Sequence, residues 1–331
     1  MRPPPTGVRR SEHRLPPADA AGLHLHMRHA APAAGSCGSV LLVHGATLAS
    51  GLWDIALPGC SVLESLAAAG FSAWAPDIRG YGRSDRPAAP TAPYAGREEA
   101  VLDIAQAVDF ACRHDGCHQL LLVGGSWGSM TTALYASRQP CTVAGLALMA
   151  PLYATVNLAW LRELADPAGR TRMRPALAPT RQVGLEQLRA RWDAEVPLGE
   201  PARRRDPEVL AALLEDALAA EAPGASTFEV PNGTLVDLFE IFSGRAVVDA
   251  SRLRMPVLLV RGEHDATSTD EDARRLFAAL GSDDKQYLQI GDAGHFLCAE
   301  RRAAAFRGAL IAFAQRVLRP HSAAVPAAVA Q

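Results

Sequence analysis

Gly124-Gly125-Ser126-Trp127-Gly128 constrains this chain more than any other stretch. It follows the apolar run Leu120-Leu121-Leu122-Val123 and precedes Ser129-Met130-Thr131-Thr132-Ala133-Leu134-Tyr135-Ala136, which reads as a helix. A buried strand, a sharp turn on G-x-S-x-G and a helix make a nucleophile elbow. The residue types follow from the geometry. The serine occupies a strained turn that pushes its hydroxyl out. The small residues on either side let strand and helix pass without a Cβ clash. The amide of Trp127 then points at a reacting oxygen from a helix N-terminus. The motif alone is weak, since about one chain of this size in ten should carry it by chance. Partners later in the chain must decide.

Two such partners are present. Met255-Pro256-Val257-Leu258-Leu259-Val260 reads as a buried strand and ends in Arg261-Gly262-Glu263-His264-Asp265. After a helical segment at 270–280, Lys285-Gln286-Tyr287-Leu288-Gln289-Ile290 reads as another strand and leads into Gly291-Asp292-Ala293-Gly294-His295-Phe296. The order Ser126, Asp265, His295 is Ser…Asp…His, each at the end of its own strand. Glu263 competes as the acid but lies nearer the strand. Asp292 sits on the histidine's own loop, where turn formation explains it. His264 adjoins the acid rather than facing it. An early strand, Ser39-Val40-Leu41-Leu42-Val43, leads into His44-Gly45-Ala46-Thr47, whose Ala46 amide is the expected second oxyanion donor beside that of Trp127.

The coarse periodicity predicts strands near 23–29, 39–44, 71–76, 120–125, 144–150, 256–261 and 285–290. Helices are expected near 61–69, 97–113, 128–138, 270–280 and 300–317. Such alternation gives an α/β fold with a mostly parallel sheet and helices on both faces. From Pro151 to about Ala250 the alternation stops and helical pieces take over, near 184–195, 207–220 and 234–242. The predicted organisation is a core of 21–153 and 249–319, a helical cap of 154–248, and disordered tails at 1–20 and 320–331. Thr47, Leu52, Trp53, Trp192 and Phe239 are the expected substrate-binding residues. Trp160, Phe228 and Phe242 are further pocket candidates.

Taken together, LLVHGATLASGLWD, APDIRGYGRSD, LLVGGSWGSM, LLVRGEHD and GDAGHF resemble the α/β-hydrolase superfamily, in its cap-bearing serine-hydrolase branch. The resemblance implies an eight-stranded-type sheet and hydrolysis of a small-molecule carboxylic ester or thioester through an acyl-enzyme. GGSWGS is similar to proline iminopeptidases, although His44-Gly45-Ala46-Thr47 departs from their HGGPG-like loop. Serine-dependent C–C bond hydrolases share the constellation, and a ligand receptor on the same fold is the non-enzyme alternative. In DIRGYGRS, Asp77 and Arg79 are expected to tie loops beneath the site.

The formal charge of −2 gives no electrostatic case for nucleic acid or membrane partners. No signal or membrane-spanning run is evident, so a cytoplasmic protein is expected. Its oligomeric state is undetermined. The six cysteines fit no metal pattern and are expected to be reduced. His24, His26 and His29 alternate as a strand would rather than as metal ligands, and neither a metal nor a cofactor is expected. A phosphate loop would need Gly-Lys where Ser126 stands.

Overall fold

The computed structural model describes residues 7–17, 19–167, 172–174, 177–194 and 200–318. Its ten strands are β1 (Val8–Leu15), β2 (Leu25–Pro32), β3 (Ser39–Val43), β4 (Ser72–Pro76), β5 (Leu120–Gly125), β6 (Val143–Met149), β7 (Thr180–Gly184), β8 (Thr227–Pro231), β9 (Val257–Gly262) and β10 (Lys285–Ile290). Its helices are α1 (Val62–Ala68), α2 (Arg97–Asp115), α3 (Trp127–Arg138), α4 (Leu158–Leu164), α5 (Leu185–Asp193), α6 (Pro201–Arg204), α7 (Pro207–Leu218), α8 (Gly233–Phe242), α9 (Asp270–Ala279) and α10 (Ala303–Leu318).

Eight strands form one sheet in the order β1-β2-β4-β3-β5-β6-β9-β10. β1 and β2 pair antiparallel, as do β2 and β4; the remaining neighbours are parallel. The parallel interior explains why β3, β5 and β9 are continuous apolar runs in sequence: helices cover both faces, and every residue of these strands is buried. Because β3, β5, β9 and β10 run parallel, their C-terminal ends lie at one rim, where loop residues of an open α/β sheet meet a ligand.

The expectation of a disordered tail over 1–20 is corrected at β1. Residues 8–15 pair along their whole length with β2. The segment VRRSEHRL carries no apolar alternation because it is an edge strand, buried only at Val8 and Leu15. Charges on an edge keep it from pairing with another chain, and here they are tied down locally. Arg14 binds Asp85 at 3.0 Å and Glu12 binds Arg83 at 2.8 Å. Arg10 pairs with Asp54 and Glu64. The tail expected over 320–331 lies outside the described residues.

The segment between β6 and β9 is not purely helical. It holds α4 to α8, but β7 and β8 form an antiparallel ribbon, Thr180 opposite Pro231 and Gly184 opposite Thr227. TRQVG and TFEVP are short and bounded by Gly and Pro, too little pattern to separate a strand from a loop by periodicity. The segment lies across the rim of the sheet. Asn157 donates to the Ala266 carbonyl at 3.0 Å, and Trp160 Nε1 donates to Thr267 Oγ1 at 3.2 Å. Arg28 of β2 reaches Asp216 of α7 at 2.5 Å.

Asp77 and Arg79 do tie loops. Asp77 accepts from the amides of Ser50 at 2.8 Å and Arg83 at 3.0 Å. Arg79 forks onto Asp103 and pairs with Asp19 at 2.8 Å. His24, His26 and His29 go to different partners, Asp85, Asp77 and Ser72. No helix among the described residues is long and apolar enough to cross a membrane.

Candidate active site

Ser126 joins β5 to α3 with φ 55° and ψ −120°. For a residue with a Cβ this is a strained conformation, costing about 1–3 kcal/mol. It persists because both flanks are clamped. The Ser126 amide donates to the Met149 carbonyl at 2.9 Å, and its carbonyl accepts the Ser129 amide at 2.8 Å. Glycine is required beside it for space. A Cβ on Gly124 would strike the Gly128 carbonyl and Thr132 Oγ1, and one on Gly128 would strike the carbonyls of His44 and Val43. Backbone cannot yield as a side-chain tip can. Gly128→Ala is therefore expected to lose about 3 kcal/mol of stability, readable as a drop in the urea midpoint.

The three residues expected to act together are in contact. His295 Nε2 lies 2.9 Å from Ser126 Oγ. His295 Nδ1 lies 3.0 Å from Asp265 Oδ1 and 2.9 Å from Oδ2. Asp265 is 2 % exposed. Its Oδ1 also accepts from the amides of Thr267 at 2.9 Å and Ser268 at 2.8 Å, so the loop after β9 is wound around the carboxylate. The rival acid Glu263 is turned away and accepts from the Asp292 amide at 3.0 Å. Thr269 caps α9, accepting from the Asp272 amide at 3.1 Å, which leaves Asp265 without a capping task.

The loop after β3 lies against the serine: a Cβ on Gly45 would come within 3.2 Å of Ser126 Cβ. His44 shapes this loop. It accepts the Ile78 amide at Nε2, at 3.0 Å, so Nδ1 carries the proton and donates to the Gly45 carbonyl at 2.8 Å. Complete burial pushes its pKa down and keeps the ring neutral. The Ala46 carbonyl is held from the inserted segment, where Arg181 Nη2 donates to it at 2.7 Å, and from Tyr81 Oη at 3.1 Å. Arg181 also donates to Pro231 O at 3.0 Å and Asn232 Oδ1 at 2.9 Å. Trp127 opens α3, so its amide belongs to the first turn, which has no intrahelical acceptors. Its indole donates to Asp237 of α8 at 2.9 Å. Burial pushes Asp237 up to about 6, against the opposing pull of Trp127 and Arg97.

A cavity of about 60 Å³ opens over Ser126 and His295, walled by Ala46, Thr47, Leu52, Met149, Trp160, Arg191, Leu238, Thr267 and Phe296 among others. It shares Thr47, Trp160, Arg191 and Phe296 with an adjoining hollow of about 620 Å³. Of the residues expected to bind substrate, Thr47 and Leu52 line this cavity. Trp53, Trp192 and Phe239 do not line the cavity. Trp53 is fully buried beneath Gly125 and stacks on Phe306, with centroids 6.2 Å apart. Trp192 backs the wall from behind, stacked on Phe296 at 4.6 Å. Phe239 is a buried residue of α8 with the Arg245 guanidinium 5.6 Å from its ring. Met149, Arg191, Leu238, Thr267 and Phe296 were not singled out from sequence. Phe296 alone carried a usable signal, being next to His295.

Three comparisons bear on this geometry. A family model described as serine aminopeptidase S33 matches residues 35–302. Over 60 residues the chain is 42% identical to an (R)-3-hydroxydecanoyl-ACP:CoA transacylase of Pseudomonas putida, covering 18% of this chain and 20% of that protein. In structure it is similar to a thermophilic esterase from Thermogutta terrifontis, with TM-score 0.61, 20% identity, and coverage of 94% of this chain and 100% of that one. It is also similar to the enol-lactonase from Burkholderia xenovorans LB400, with TM-score 0.62, 21% identity, and coverage of 88% and 96%.

Proposed function

The chain belongs to the serine aminopeptidase S33 family of α/β-hydrolases, and on that footing we propose that it hydrolyses a small-molecule carboxylic ester or thioester through an acyl-enzyme on Ser126. The observation that carries this reading is the unbroken relay Ser126 Oγ, His295 Nε2, His295 Nδ1, Asp265, with every link between 2.9 and 3.0 Å. His295 takes the serine proton as the hydroxyl attacks the carbonyl, then returns it to the leaving group. Asp265 fixes the tautomer and stabilises the imidazolium. The amides of Trp127 and Ala46 hold the oxyanion, each donor being worth about 3 kcal/mol. Water then repeats the sequence on the acyl-enzyme. Residues 154–248 act as a cap that sets the pocket.

The cavity wall favours an acyl substrate over a free N-terminal amine. A cationic amine needs a carboxylate, and Arg191 is the charged group beside His295 on the described wall. Of the two cap acids that could bind an amine, Asp193 is engaged by Arg205 at 2.7 and 2.6 Å, and Glu195 lies outside the described residues. Turnover of short and medium acyl p-nitrophenyl esters beside prolyl and alanyl p-nitroanilides tests the reading, with Ser126→Ala as the blank. Ser126-dependent ester cleavage without anilide release is expected. Anilide release faster than ester cleavage would replace it with an aminopeptidase.

Arg181 positions the oxyanion loop from the cap. Its guanidinium holds the Ala46 carbonyl, which fixes the peptide plane that follows the proposed donor. Arg181→Met is expected to lower kcat about tenfold, about 1.4 kcal/mol of transition-state stabilisation, with KM changed much less. A raised KM with kcat unchanged would assign it to substrate binding instead.

A further inference from the structure

Three imidazoles meet at the β1–β2 edge of the sheet, and the hydrolytic mechanism uses none of them. His13 comes from β1, His29 from β2 and His114 from the last turn of α2. One ring nitrogen of each lies within 4.8 Å of the others. Ser11 Oγ sits between two of the rings, 2.9 Å from His13 Nε2 and 3.1 Å from His29 Nδ1.

The far sides of two rings are anchored. His29 Nε2 lies 2.9 Å from Ser72 Oγ, and His114 Nδ1 lies 2.9 Å from Asp115 Oδ1. Asp115 also accepts from Ser39 Oγ at 2.7 Å and Trp74 Nε1 at 2.8 Å. With Asp115 Oδ1 as acceptor, the proton of His114 lies on Nδ1 and Nε2 keeps its lone pair. A carboxylate behind a histidine is the usual outer partner of a metal ligand. The Trp74 indole, stacked on His29 at 3.5 Å, fixes the plane of that ring.

We propose that His13, His29 and His114 bind one divalent cation of borderline softness, of the zinc class, with the Ser11 hydroxyl or a water as fourth ligand. An all-imidazole set suits zinc, cobalt, nickel or copper and not the hard cations calcium and magnesium. Ligation takes the neutral imidazole, so binding is expected to weaken as the pH falls. Metal–nitrogen bonds of about 2.1 Å in a tetrahedron place nitrogens about 3.4 Å apart. The rings must therefore close by up to about 1.4 Å, which the outer two, His13 and His114, can do by rotating. The bound cation would staple the polar edge strand β1 to β2 and α2.

The test is a titration of the full chain, freed of metal by a chelator, with Co²⁺ read by its visible absorption and Zn²⁺ read by calorimetry. One equivalent is expected to bind, with the intense visible bands of a tetrahedral cobalt site, and to raise Tm. His13→Gln and His114→Gln change partly exposed side chains, and each is expected to weaken binding at least tenfold. His118→Gln, an exposed histidine outside the cluster, is the control and keeps the wild-type affinity. Absence of stoichiometric binding in the wild type overturns the proposal, as does a loss below tenfold in either cluster variant.

Discussion

Ser126→Ala is expected to lower kcat for ester cleavage by about 10⁴-fold or more while leaving the protein folded. Alanine keeps the Cβ, so the strained turn at φ 55° is neither relieved nor worsened. The backbone clamps from Met149 and Ser129 remain. What is lost is one hydrogen bond to His295, at 2.9 Å, worth about 1 kcal/mol of stability. The rate loss is far larger, because the hydroxyl that attacks the carbonyl is the group removed. Residual turnover should reflect only binding and the oxyanion amides. The measurement is paired: initial rates on a p-nitrophenyl ester, and a thermal melt of the same preparation. A variant that melts as the wild type yet retains more than a tenth of its rate would end the case for Ser126. A fluorophosphonate that labels the wild type and spares the variant would place the reactive oxygen on this side chain.

Much of this site could be read in the chain because its residues sit next to strong local patterns. Ser126 and Asp265 each follow an apolar run that reads as a buried strand, His295 follows the mixed, largely exposed strand β10, and chain order did the rest. Gly124 and Gly128 announced a close crossing. What could not be read lacks such a pattern. β1 is polar because it is an edge, so its sequence is that of a tail. In the inserted segment, amphipathic spacing tells which residues share a face but not which face meets the serine. Leu238 turns to the cavity while its neighbour Phe239 packs into α8's buried side, and nothing in GTLVDLFEIF separates them. Arg191 and Arg181 are placed by tertiary contacts with Thr267 and Ala46, from parts of the chain more than 70 residues away. The histidine cluster was missed for a related reason. Alternation along one stretch of chain shows only His24, His26 and His29, whereas His13, His29 and His114 come from three elements.

Asp265→Asn is expected to lower kcat by about 10⁴-fold with little loss of stability, and the direction follows from which oxygen is already occupied. Oδ1 accepts from the amides of Thr267 and Ser268, at 2.9 and 2.8 Å. An asparagine must keep its oxygen there, because an NH₂ facing two N–H groups would leave three buried donors unsatisfied. The NH₂ therefore takes the Oδ2 position, 2.9 Å from His295 Nδ1. A donor at that place requires Nδ1 to be an acceptor, which moves the ring proton to Nε2. Nε2 then points an N–H at Ser126 Oγ and can no longer remove its proton. The fold keeps both backbone bonds, so the melt should shift little. Asp265→Ala separates the two roles: it should be as inactive, but it orphans the Thr267 and Ser268 amides and should cost a further 1–3 kcal/mol, about the desolvation of unsatisfied donors. Glu263→Gln, the change at the neighbouring acid, should stay within about twofold of the wild-type rate, about 0.4 kcal/mol. Rates and urea midpoints of the three variants decide the matter. If Asp265→Asn retained a tenth of the activity, or Glu263→Gln lost it, the acid would have to be reassigned.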